Sequence, residues 1–121
     1  MIPLFNQYLS TKITDIPISF GQPLDYQSLS KYIKVSWINK SNDESVRVDK
    51  VTAKCHLEFY TKEANLYAAL SFAGRMHEIL QHKIRLSENV VVEVEQPITA
   101  NCFELSGIKK ADIIFNISME V

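Results

Sequence analysis

Residues 51–80, VTAKCHLEFYTKEANLYAALSFAGRMHEIL, hold one cysteine (Cys55), two histidines (His56, His77) and three glutamates (Glu58, Glu63, Glu78). These residue types ligate metals, move protons and act as nucleophiles. A zinc site needs three or four of them converging on one point. A nucleophile needs a base within hydrogen-bond reach. Which elements carry the residues decides whether either arrangement can form.

The first half of the stretch alternates. Val51, Ala53, Cys55, Leu57 and Phe59 share one parity. A strand would turn them to one face and Lys54, His56, Glu58 and Tyr60 to the other. Cys55 then belongs to the core, where a free cysteine behaves as a small hydrophobe. His56 and Glu58 do share a face, but two ligands are too few. His77, Glu78 or His82 could complete the set only if the next helix lay on that face, and the apolar residues put it on the other. That helix is expected at about 63–81, with Thr61 as N-cap and Glu63 and Ala64 in its first turn. Leu66, Ala69, Leu70, Ala73, Met76 and Leu80 form its apolar stripe, and Ser71, Arg75, Glu78 and His82 its polar one, with His77 at the border. His77 and His82 are five apart, so they do not form the HExxH pattern. Ala68, Phe72 and Ile79 widen the apolar face beyond what one sheet requires. They either pack beneath a second helix or are a candidate subunit interface.

Other catalytic motifs are missing from the sequence. Gly74 and Gly107 stand alone, which leaves no phosphate-binding loop, and no GxSxG occurs. Lys109–Lys110 and the series Arg47, Lys50, Lys54 are interleaved with Asp49 and Asp112, and are read as solvated. We expect no catalytic residue, no metal site and no cofactor.

The elements that position these residues fit one domain spanning 1–121. The 121 residues are 46% hydrophobic and 22% charged, enough for one core. A formal net charge of −1 argues against bulk electrostatic binding of nucleic acid. Cys55 and Cys102 are expected as free thiols in a reducing compartment. The start, MIPLFNQYLSTKI, lacks the basic and apolar regions of a signal peptide, and no window approaches the ~20 apolar residues of a membrane span. A soluble protein is therefore expected.

Along the chain, 2–13 reads as a short helix with Pro3 in its first turn. IPISF (16–20) reads as an edge strand, marked by Pro17. Residues 21–29 connect it to the strand YIKVSWI (32–38). NKSNDES (39–45) reads as a polar hairpin loop. A long strand then runs over 46–60, with a bulge or bend near Asp49–Lys50. After the main helix come strands at 87–97 and 111–121, with local pairing at 98–105. In the last strand Ile113, Phe115, Ile117 and Met119 face in, while Asp112, Asn116, Ser118 and Glu120 face out. The fold class is α+β: a mainly antiparallel sheet flanked by a short N-terminal helix and one main α-helix.

This order, with IPISFGQP, YIKVSWINK, a polar loop, VTAKCHLEFYTKEA, LYAALSFAGRMHEIL and closing strands, resembles the tail terminator (tail completion) proteins of long-tailed bacteriophages. The resemblance implies a homo-oligomeric ring, usually six-fold, that caps the tail tube and stops its growth. It implies a virion protein at the head-proximal end of the tail, assembled in the host cytoplasm. Its partners would be further copies of itself, the major tail tube protein and the head–tail connector or stopper protein. DNA would pass through the lumen without specific binding, and no membrane would be involved. A ring contact is heterologous and needs two different patches per subunit. Ala68, Phe72 and Ile79 are candidates for one. Asn39, Lys40, Ser41, Asn42, Asp43, Glu44 and Ser45 are a candidate partner-contacting loop. Glu93, Glu95 and Glu104 are candidate lumen-facing residues, since a channel that passes DNA should not grip it. Two other readings compete. One is another phage neck or head-completion protein. The other is a small α+β enzyme or ligand-binding domain with a pocket at His56, Glu58 and Tyr60.

Overall fold

Two strands with the strongest alternation, 50–61 and 108–120, form the seam of the sheet. They run antiparallel from Lys50 opposite Glu120 to Thr61 opposite Lys109. The computed structural model describes residues 1–39, 50–63 and 65–120. In chain order the elements are α1 (Ile2–Lys12), β1 (Ile18–Ser19), β2 (Lys31–Asn39), β3 (Lys50–Thr61), α2 (Tyr67–Ile79), β4 (Lys83–Ser87), β5 (Val90–Val94), β6 (Thr99–Leu105) and β7 (Ile108–Glu120). The seven strands form one sheet in the order β1-β2-β3-β7-β5-β4, with β6 pairing β7 beside β5. Among the described residues only β1–β2 is parallel. The architecture is the α+β one expected, with both helices present.

One face of the sheet carries the core. Ile33 and Val35 of β2, Ala53, Cys55, Leu57 and Phe59 of β3, Ala111, Ile113, Phe115 and Ile117 of β7, and Val92 and Val94 of β5 are all buried. The strand period of two puts them on a single side, and α2 closes over them with Ala69, Phe72, Ala73 and Met76. The shorter α1 adds Phe5 and Leu9. A helix of this length is marginal alone; here tertiary contacts hold it. Phe5 meets Trp37 edge-on at 5.6 Å and Phe115 at 5.9 Å between ring centroids. The Trp37 indole donates to Asn6 Oδ1 at 2.8 Å, and the Tyr8 hydroxyl donates to the Ile79 carbonyl at 2.6 Å.

The boundaries move in three places. Helix α2 begins at Tyr67, not near residue 63. Thr61 ends β3 and is buried; its Oγ1 accepts the Glu63 N–H at 3.2 Å, so it closes a turn at the strand end and does not cap the helix. Asn65 Oδ1 accepts the Tyr67 N–H at 3.0 Å instead. The single strand expected at 87–97 is a hairpin, β4–β5, turning at Glu88–Asn89. Ile84 and Leu86 alternate with Lys83 and Arg85, but the run directly follows a helix and is too short for its period to stand out. The local pairing expected at 98–105 is β6 against the start of β7, through a turn with Ser106 and Gly107 at positive φ. The expected loop 39–45 falls outside the described residues except Asn39, which ends β2, as does the start of the strand expected from residue 46.

Candidate functional site

Opposite the core, the even-numbered positions of β3 and β7 build a charged and aromatic face. The pairing sets Glu58 beside Asp112, His56 beside Ile114, and Tyr60 beside Lys110 and Tyr32. The Lys110 ammonium lies 2.8 Å from Glu58 Oε2 and 3.2 Å from Asp112 Oδ1. His56 Nε2 lies 3.1 Å from the same Asp112 oxygen, and its Nδ1 3.9 Å from Glu58 Oε1. The Tyr60 hydroxyl donates to Glu58 Oε2. All these side chains are partly buried.

Electrostatics follow from that packing. Burial pulls the Glu58 carboxyl up, but the Lys110 ammonium and the Tyr60 hydroxyl overcome it, and the group ends below the usual carboxylate range. Burial and the bond to Glu58 push Tyr60 up to about 12. Burial works against the Lys110 charge, yet its bonds to Glu58, Tyr60 and Asp112 raise it above the ordinary lysine value. Lys110 also lies 5.0 Å from the centroid of the Tyr60 ring and 5.6 Å from that of Phe103.

The third member of the cluster, Asp112, was not placed here by sequence reasoning. His56, Glu58 and Asp112 offer ligand atoms within 4.8 Å of one another. Asp112 was legible as an outward residue of the last strand, but only the β3–β7 register brings it to Glu58. The same register corrects the view of Lys109–Lys110 as a solvated pair. Lys109 is 7% exposed and bonds Glu104 at 3.0 Å, while Lys110 stands between the two carboxylates. A divalent ion would have to displace that ammonium, so the cluster is a partly neutralised ion-pair network more than a ligand set.

Beside the network, Tyr26, Tyr32 and Tyr60 form a ladder with centroids 4.6 and 4.9 Å apart. Lys34 lies over Tyr26 at 4.8 Å. Lys62 Nζ donates to the Gln27 carbonyl at 3.0 Å, tying the 21–30 connection onto this face. A slot of about 220 Å³ opens between these tyrosines, Lys62 and Ile108.

Cys55 is fully buried among core residues, which drives its thiol well above the ordinary range. Phe72 is only 4% exposed and stacks on Phe59 with centroids 4.3 Å apart, so it is a core residue of the monomer and not surface. Ala68 and Ile79 are half-buried; Ile79 is where Tyr8 of α1 docks. The apolar surface of α2 lies instead at Tyr67, 74% exposed, and Leu70, 54% exposed, the latter having been read as core. The three candidate lumen glutamates do not share a face. Glu93 pairs with Ser118 on the side away from α2, and Glu104 shares the α2 side with Lys109. Glu95 follows β5 and its N–H bonds the Asn116 carbonyl at 2.9 Å.

No family model matches this sequence, and no curated protein matches it. The fold does have counterparts among solved structures. One, which carries no functional name, aligns with a TM-score of 0.72 at 10% identity over 100% of this chain and 96% of the other. A second belongs to the virion of a native gene transfer agent particle and aligns with a TM-score of 0.62 at 15% identity, over 98% of this chain and 92% of the other. At these identities the likeness is one of fold.

Proposed function

We propose that this chain is a structural subunit of a phage-like virion, a tail terminator that forms a ring on the end of the tail tube. The observation that carries the reading is the full-length likeness to a chain of a gene transfer agent virion, which has no large unmatched insertion on either side. It agrees with the element order read from the sequence. In this reading the partners are neighbouring copies, the tube protein and the head-side connector, and DNA passes through without being bound. No turnover is assigned in this reading. A head-to-tail ring needs two unlike surfaces. The flank of α2 bearing Tyr67 and Ala68 beside Lys31 is one candidate, and the tyrosine slot on the opposite face of the sheet is the other.

The test is the mass of the purified protein by light scattering over a range of concentrations, with and without phage tail tubes, and electron microscopy of the tube ends. The expected result is a ring, or a smaller species that becomes a ring on tube ends and halts their growth. A protein that leaves tubes uncapped and growing at every concentration would overturn the reading.

A further inference from the structure

Among the described residues, β1, β4 and β6 are each paired on one side only, β2 is uncovered beyond Lys34, and the first three differ in how the free edge is guarded. At one end β1 is two residues long and follows Pro17. At the other, β4 exposes Lys83 and Arg85. Short length, proline and cations are the usual devices that keep edges from pairing. The third edge, on β6, has none of them. Thr99–Leu105 runs seven residues without lysine, arginine or proline. Among the described residues, no hydrogen bond joins β6 to any strand but β7.

Apolar side chains stand near that edge on both sides, among the polar Thr99, Asn101 and Glu104. Away from α2 stand Phe103 and Leu105, the latter 49% exposed. On the helix side, α2 packs across β6. Ala68 and Arg75 line the flank of α2 that looks toward Lys31 and Phe59. Leu70 and His77, half a helical turn away, lie on the flank toward β6. Leu105 is thus an exposed leucine on the bare strand, and Leu70 is an exposed leucine of the helix that crosses it.

We propose that β6 pairs antiparallel with β6 of a second copy about a two-fold axis at Cys102, joining two sheets into one. Self-pairing needs no second edge, because the same seven residues supply both sides of the joint. Directly opposed residues share a face, so in a self-pair some residue must oppose its own copy. Centring on Cys102 is the one choice that pairs all seven residues: Thr99 with Leu105, Ala100 with Glu104, Asn101 with Phe103. The charges suit this register, because the strand's only charged side chain meets alanine and is already neutralised by Lys109 at 3.0 Å. The axis keeps both α2 helices on one face, so the two Leu70 side chains flank the joint. The contact is separate from the ring contact and stands or falls without it.

The experiment uses the full chain and two substitutions at one position. Directly opposed residues in an antiparallel pair lie about 4.5–5.5 Å apart at Cα, within disulfide range. Diamide oxidation should therefore give a Cys102–Cys102 linked dimer. It is run at mildly alkaline pH because burial, then Asp112, raises the Cys102 thiol above its usual value. Cys55 is buried and stays silent. Cys102→Ser should abolish the link while sedimentation still finds a dimer. Ala100→Glu would set two pairs of like charges across the joint and weaken the dimer about tenfold, while Ala100→Lys would strengthen it. A monomer at all concentrations with no cross-link would overturn the proposal. So would a dimer that responds alike to Glu and Lys at position 100. A ring that forms without any Cys102 link would overturn this contact and leave the terminator reading intact.

Discussion

Lys110 is the residue on which the polar face depends. It holds Glu58 and Asp112, two carboxylates set side by side on neighbouring strands, with its own charge between them. Glu58 is depressed in the folded protein, so the stability it contributes is fully present above its unfolded value and is lost as pH falls through the lowered one. Lys110→Met leaves two like charges half-buried. The expected loss is about 1–3 kcal/mol at neutral pH, shrinking as pH falls into the acid range where Glu58 protonates. Urea midpoints for both proteins across that range would check it, and a pH-independent deficit would mean that Lys110 acts through packing alone. The sequence showed the parity of His56, Glu58, Tyr60 and Asp112, but not that of Lys110, which fell outside the strand expected at 111–121. It could not show that Asp112 lies opposite Glu58, because register depends on how two distant strands align, and nothing local to either one encodes that.

At the scale of elements, alternation and period carried most of the reading. The runs 51–60 and 111–119 were unambiguous because each has one wet and one dry face. The hairpin β4–β5 was missed because its first strand has only Ile84 and Leu86 to show a period. Helix α2 was found, but its rotation was misjudged. Leu70 was counted as core and Phe72 as surplus apolar surface, whereas Phe72 stacks on Phe59 and Leu70 is left outside. Both lie at the margins of a wide apolar arc, where composition alone does not tell which margin the sheet covers. The corrected placement has a consequence. Phe72→Ala should cost about 3–5 kcal/mol, seen as a lower urea midpoint by circular dichroism. An unchanged midpoint with lost assembly would return Phe72 to an interface.

Over the whole molecule, β3 and β7 are each paired along both edges, while β1, β4 and β6 are paired along one. Amide hydrogens of residues 53–59 and 111–117 should exchange slowest, near the global unfolding limit, and those of β6 should exchange faster. Uniform exchange across the sheet would show that these strands do not form its stable centre. The strand that joins most of the sheet, β7, also comes after all its partners in the sequence: it meets β3, which lies some fifty residues earlier, and both β5 and β6. On the ribosome, the earlier strands wait with their apolar faces uncovered until Ile108–Glu120 has left the exit tunnel. A chain interrupted before Ile108 therefore has no seam to close and is exposed to chaperones and proteases. Only a chain translated through β7 can close the sheet, so synthesis itself screens out copies truncated before it.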